Sequence, residues 1–151
     1  MNLKILATIA LATPLLFAGS VRADSTQNLQ KLLSTGSCVG CNLAGVDLSR
    51  SHLIGADLRN ANLQGANLTK ANLEGADLTG ANLKGANLTS AFVSNVNMKQ
   101  TNLDNVNFTS AKIHGSNVYQ ASMNNLNLTN ADVVNTGIGI GGEDAQIPDW
   151  K

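Results

Sequence analysis

From Cys41 to Ile140 the chain divides, without a single insertion, into twenty blocks of five residues that begin CNLAG, VDLSR, SHLIG, ADLRN, ANLQG and ANLTK. The third residue of each block, its centre, is apolar in all twenty, from Leu43, Leu48 and Leu53 through Leu88 to Val93, Met98, Leu103, Phe108, Ile113, Val118, Met123, Leu128, Val133 and Ile138. The residue two before the centre is usually Ala, as in Ala56 through Ala91, and the residue just before it is Asn or Asp in fifteen of the twenty blocks. A period of five matches neither a helix at 3.6 nor a strand at 2. A helix would spread these leucines around its whole circumference, and Asn is a poor residue for a helix interior. A chain that turns a corner every five residues would aim every centre inward, with the small residue two before it sharing the interior.

Two sequence features bear on how many blocks close one coil. The last residue of the block is Gly or Asn in every odd block, Gly45, Gly55, Gly65, Gly75, Gly85, Asn95, Asn105, Gly115, Asn125 and Asn135, but in only three of ten even blocks, Asn60, Gly80 and Asn130. Gly and Asn tolerate positive φ, so corners of two alternating kinds are expected, which requires an even number of blocks per coil. The pairs Asn67/Thr69, Asn87/Thr89, Asn107/Thr109 and Asn127/Thr129 recur at intervals of twenty residues. With four blocks per coil they stack as an Asn column and a Thr column on one face.

Blocks such as ADLRN, ANLQG, ANLEG and ADLTG resemble the A(D/N)LXX motif of the pentapeptide-repeat family over about two-thirds of the chain. The resemblance implies an all-β solenoid, a right-handed quadrilateral β-helix. Twenty blocks give about five coils, a rod roughly 24 Å long at strand-like stacking distances. The scarcity of aromatics fits a narrow rod, since Phe92, Phe108, Tyr119 and Trp150 are the only ones beyond residue 23.

The expected organisation is a signal peptide at 1–23, a cap helix at 24–36, the β-helix at 37–140 and a tail at 141–151. Lys4 supplies a positive start, Ile5 to Phe17 is an apolar run, and Val21-Arg22-Ala23 has the small-x-small pattern for cleavage between Ala23 and Asp24. The run is too short for a membrane span and contains Pro14. A solenoid needs caps over its open ends. Asp24 or Ser25 offers an N-cap, and Leu29, Leu32 and Leu33 form an apolar stripe able to cover the first coil. At the other end Gly137, Gly139, Gly141 and Gly142 break the pattern, leaving Trp150 as a lid over the last coil or as part of an untethered tail.

Cys38 and Cys41 are the only cysteines. In an exported protein an even count points to a disulfide, with buried reduced thiols or a redox or metal site as alternatives. A zinc site would need two more ligands and a redox site an exposed thiol of low pKa. A cap helix followed by Cys-x-x-Cys and repeats resembles exported pentapeptide proteins of cyanobacteria, which implies periplasm or thylakoid lumen.

No catalytic or cofactor-binding constellation is evident, and an enzyme is not expected. His52 and His114 fall on one face three coils apart, roughly 14 Å, too far to share a metal. Asp57 and Asp77 stack on another face as a conceivable cation pair, but Asn97 and Asn117 continue that column without charge. The Asn-x-Thr sequons follow from the repeat itself. Two functions remain: a rigid scaffold or protein-binding module of unknown partner, expected to be monomeric and free of nucleic acid and membrane after cleavage, or a DNA mimic acting on gyrase. A mimic about 24 Å long should offer about fourteen negative charges, one per 1.7 Å. Between Cys41 and Ile140 the acids Asp47, Asp57, Glu74, Asp77, Asp104 and Asp132 are matched by Arg50, Arg59, Lys70, Lys84, Lys99 and Lys112, six minus six. That zero balance favours the scaffold.

Overall fold

The computed structural model describes residues 20–136, with side chains from residue 25 onward. The chain coils with a repeat of twenty residues. Parallel bridges join Ser37 to Asp57, Asn42 to Asn62, Asp47 to Asn67 and His52 to Asn72, and the same offset continues to Asn107 and Asn127. With a corner every five residues, each coil has four sides. Numbering the sides from Cys41, face one starts at Cys41, face two at Val46, face three at Ser51 and face four at Ala56.

The backbone accounts for its polar groups by one rule. The centre donates its N–H to the carbonyl of the second residue in the next coil, as Leu43 does to Asn62. The second residue donates back to the previous coil, as Asn62 does to Cys41, and the fifth donates forward, as Gly45 does to Gln64. At most corners the first residue of a block donates to the preceding centre, as Ala61 does to Leu58, closing a four-residue turn; at Val96 the N–H goes to Ser116 Oγ instead. The last residue of the block has φ between 47° and 68° at every corner from Gly40 to Asn135, the positive φ that a type II turn requires at its third position. The expected alternation of two corner types is therefore corrected. Arg50, Lys70, Ser90, Gln100, Ser110 and Gln120 adopt the left-handed conformation as fully as glycine does. The inter-coil bonds on either side of each corner hold it there despite a steric cost of about 1–2 kcal/mol per side chain.

The centres from Leu43 to Val118 are buried, as are the Ala residues two before them. Where larger or polar residues replace Ala, the interior satisfies them. Thr101 Oγ donates to the Leu78 carbonyl, and Ser116 Oγ donates to the Val93 carbonyl while accepting from the Val96 N–H. Among the described residues no buried side-chain polar atom lacks a partner.

Helix α1, Ser20–Thr35, leads into the first coil. It starts before Asp24 because nothing in Ser20-Val21-Arg22-Ala23 interrupts a helix, so Asp24 and Ser25 lie inside it and neither is an N-cap. It ends at Gly36, whose φ of 70° suits a helix C-terminus and whose N–H bonds the Leu32 carbonyl. Leu32 is buried and Leu29 packs on the core, but Leu33 is 57% exposed, so the covering stripe is narrower than the sequence pattern predicts. Asn28 adds a bond from its amide to the Asn42 carbonyl. Cys38, a centre, and Cys41, the next inward first position, are joined across one corner by a disulfide with Cα atoms 5.3 Å apart. The tail, with Trp150, lies outside the described residues, as does the segment 1–19.

Leu73 is fully buried and Glu74 exposed. Leu73→Lys should lower stability by several kcal/mol through an unpaired buried charge, and Glu74→Lys by about 0.5 kcal/mol or less; urea denaturation of the two variants reads the difference. The Cys38–Cys41 bridge closes so short a loop that Cys38→Ala/Cys41→Ala should cost about 2 kcal/mol. A thiol reagent should find no reactive cysteine before reduction.

Candidate binding face

On three faces the second residue of each block, where it is Asn or Asp, is committed to its own corner. Its Oδ1 accepts the backbone N–H two residues later, as Asn62 does from Gln64, Asp77 from Thr79 and Asn102 from Asp104. This local turn is what Asn and Asp side chains are suited to make. The Asn and Thr columns of face two have the same role. Asn67, Asn87, Asn107 and Asn127 each accept both the N–H and the hydroxyl of the Thr two residues on. Amides also bond between coils, from Asn62 to Asn42 and from Asn67 to Asp47. These columns hold the coil together.

Face three departs from this pattern. Five blocks lack Asn or Asp at the second position, and three of the residues there, His52, Phe92 and Lys112, fall on this face. Asn72 makes the usual bond from the Glu74 N–H. Asp132 instead pairs through Oδ2 with His114 Nε2 at 2.9 Å. Lys112 Nζ stands 5.5 Å from the centroid of the Phe92 ring. Over two coils of this face the backbone extends into strands β1, Lys112–His114, and β2, Asp132–Val134, paired in parallel. Phe92 is 45% and Val134 44% exposed.

An exposed cation–π contact contributes about 0.5–1 kcal/mol and an exposed ion pair about as little. Each forgone corner bond would contribute about 0.5–1.5 kcal/mol. The substitutions on face three therefore gain the coil nothing, and their side chains are left facing outward as a patch of mixed aromatic, cationic and anionic character.

The remaining sequence candidates stay apart. His52 is exposed three coils below Lys112 and does not join His114. Asp57 and Asp77 are bridged neighbours on face four, but Asp57 is held by Arg59 in a two-pronged pair, Nε to Oδ1 at 2.8 Å and Nη2 to Oδ2 at 2.7 Å. Among the described residues no group of three or more His, Cys, Asp or Glu could hold a metal ion. The sequence pattern did not single out Asp104. Its Oδ1 accepts from Ser122 Oγ at 2.6 Å and from both the backbone and the amide of Asn124 in the next coil. It supplies the corner bond that Ser122 cannot make, a role visible only once residues twenty apart are known to stack.

Hydrogen bonding holds three carboxyls below the ordinary carboxylate range: Asp57 through the Arg59 guanidinium, Asp47 through the Ser49 backbone and hydroxyl, and Asp104 through Ser122 and Asn124. A carboxyl whose folded pKa is depressed stabilises the fold above its unfolded pKa, and that contribution disappears as pH falls through the folded pKa. The melting temperature should therefore hold from neutrality to about pH 5 and fall below about pH 4. Asp104→Asn should melt lower at pH 7 and show a shallower acid decline, measured by calorimetry across that range.

A family model described as pentapeptide repeats matches in eight copies, over residues 41–80, 66–105, 81–118 and 101–136. Among solved structures, a pentapeptide repeat protein from the Arabidopsis thaliana thylakoid lumen is 30% identical, with 70% of each chain covered and a TM-score of 0.63. A pentapeptide repeat protein from the cyanobacterium Cyanothece 51142 is 28% identical over 74% of this chain and 92% of its own, with a TM-score of 0.62. No curated protein matches the chain.

Proposed function

Because the chain belongs to the pentapeptide repeat family, whose members fold as right-handed quadrilateral β-helices, we propose that it is an exported, non-enzymatic binding module that offers face three to a protein partner. The observation that carries this reading is the abandonment of corner bonds on that face, with Phe92, Lys112 and Asp132 exposed and His114 half-buried in their place. A rod of about five coils closed by the N-terminal helix would present such a patch with little conformational entropy to lose, the condition under which modest contacts bind. Aromatic side chains such as Phe92 are enriched in protein interfaces.

Export is supported by the leader-like pattern ending at Ala23 and by the lumenal source of one similar structure. The periplasm or the thylakoid lumen is the corresponding compartment. Among the described residues no helix is long and apolar enough to cross a membrane. The balanced charge of the repeats gives no long-range attraction for a basic DNA-binding groove, so the gyrase reading has no comparable support.

The test is affinity capture from the exported fraction of the native host, comparing the unmodified protein with Phe92→Ala/Lys112→Glu and with the face-one control Lys84→Glu. A partner should be retained by the unmodified and control proteins and reduced at least tenfold with the double variant. Equal recovery by all three would remove face three from the proposal. The captured chain should begin at Asp24, and an intact Met1 would remove export. Inhibition of gyrase supercoiling by stoichiometric protein at low salt would replace the proposal with DNA mimicry.

A further inference from the structure

The corner columns do not fill their left-handed positions alike. The corners after faces one and three carry only Gly or Asn, the residues that hold positive φ at least cost. The corner between faces two and three carries Arg50, Lys70, Ser90 and Ser110, with Asn only at Asn130 and no glycine. Four successive coils therefore bear the steric strain of an ordinary side chain at this corner. In return the corner gains a row of outward side chains directly beside the second-position column of face three. Arg50 stands two residues before His52, Lys70 before Asn72, Ser90 before Phe92 and Ser110 before Lys112. The two columns make one strip along the rod.

The charges of this strip are unevenly committed, although the repeats balance as a whole. Asp47, the carboxylate nearest to Arg50 in sequence, accepts the Ser49 N–H and the Asn67 amide on face two. Asp132 is taken by His114, and Glu74 sits at the fourth position of face three, toward the opposite corner. Arg50 and Lys70 are exposed, and among the described residues neither side chain has an ion-pair or hydrogen-bond partner. They occupy the same corner in adjoining coils, roughly 5 Å apart along the rod, where like charges repel. The coil gains nothing from that arrangement. Lys112, two coils beyond Lys70, rests only on the Phe92 ring.

We propose that this strip receives an acidic protein segment with an apolar residue at its middle. The inference rests on face three as the binding face and adds the chemistry of what binds there. Carboxylates of the segment relieve the repulsion between Arg50 and Lys70 and pair with Lys112, while the apolar residue covers the exposed Phe92 ring between them. From Arg50 to Lys112 the strip crosses three coil spacings, about 14 Å, a length that a short helical or extended segment covers. A uniformly negative phosphate chain fits less well, because Glu74 and Asp132 flank the cations and would repel it.

The probe is a fluorescein-labelled synthetic peptide of alternating Glu and Ser around a central Leu, with the same peptide carrying Lys for Glu as its opposite. In anisotropy titrations the full chain should bind the acidic peptide at least tenfold tighter than the basic one. The preference should shrink between low and physiological salt. Arg50→Glu/Lys70→Glu should reverse it, and Lys84→Glu on face one should leave it unchanged. Because the reversed variant must gain the basic peptide as it loses the acidic one, misfolding cannot imitate the result. Equal binding of the two peptides would overturn the proposal, as would a preference that survives Arg50→Glu/Lys70→Glu. Loss of the acidic peptide with Phe92→Ala/Lys112→Glu alone would leave face three standing and remove the cationic corner. Loss with the corner variant alone would remove face three and the shared strip with it. Tighter binding of a short DNA duplex or of phosphatidylglycerol vesicles than of the acidic peptide would assign the strip to phosphate and overturn the protein partner.

Discussion

Every other feature of this molecule depends on backbone hydrogen bonds between residues almost twenty apart, such as Leu58 N–H to Asp77 carbonyl and Asp77 N–H to Ala56 carbonyl. These bonds are short and evenly spaced along the rod, and they leave each coil unable to satisfy its polar groups alone. Such an arrangement makes stability a property of stacked neighbours. It also fixes the register in a strong sense, because a slip by one residue would bring Asn or Asp into the interior and push Leu out. The apolar ladder and the hydrogen-bond ladder therefore enforce each other.

The narrow interior follows from the same spacing. A side of five residues leaves room for one large and one small side chain, which is why Leu alternates with Ala through the regular half of the chain. Toward the C-terminus Val96, Val106 and Phe108 enlarge the contents, and Thr101 and Ser116 send their hydroxyls to carbonyls of the preceding coil. At the N-terminal end the enclosed volume is closed by Leu32 of α1 and by the Cys38–Cys41 bridge. The helix, the bridge and the first coil form one continuous apolar packing, held at its edge by the Asn28 amide.

Against this uniform background, function is most readable where the repeat gives up a stabilising element. Faces one, two and four use an Asn or Asp at the second position to fasten the corner, except at Ser122, whose corner Asp104 fastens from the coil before. Face three releases that position to His52, Phe92 and Lys112, and turns Asp132 toward His114. The inter-coil backbone ladder continues beneath these residues. The rod can thus vary its surface chemistry on one side without loosening its core, which is the physical basis for treating it as a display scaffold.

The solenoid was legible in the sequence because its period leaves no alternative. Unbroken five-residue spacing with an apolar centre defines corners and interior through local chemistry alone, and the twenty-residue recurrence of the Asn/Thr pairs marks the length of a coil. The inward cysteines and the outward Glu74 follow from the same register. The corner conformation was not legible: Arg50, Lys70 and Gln120 give no hint of positive φ, because the conformation is imposed by bonds to neighbouring coils. Nor could spacing alone show that Leu33 would stay exposed, since that depends on the angle at which α1 meets the first coil. The pairing of His114 with Asp132 and the triple bonding of Asp104 join residues eighteen to twenty apart. One-dimensional sequence specified which residues occur at each position, but only stacking decided which of them touch, because side-chain contacts on a solenoid run along the rod, across the chain direction.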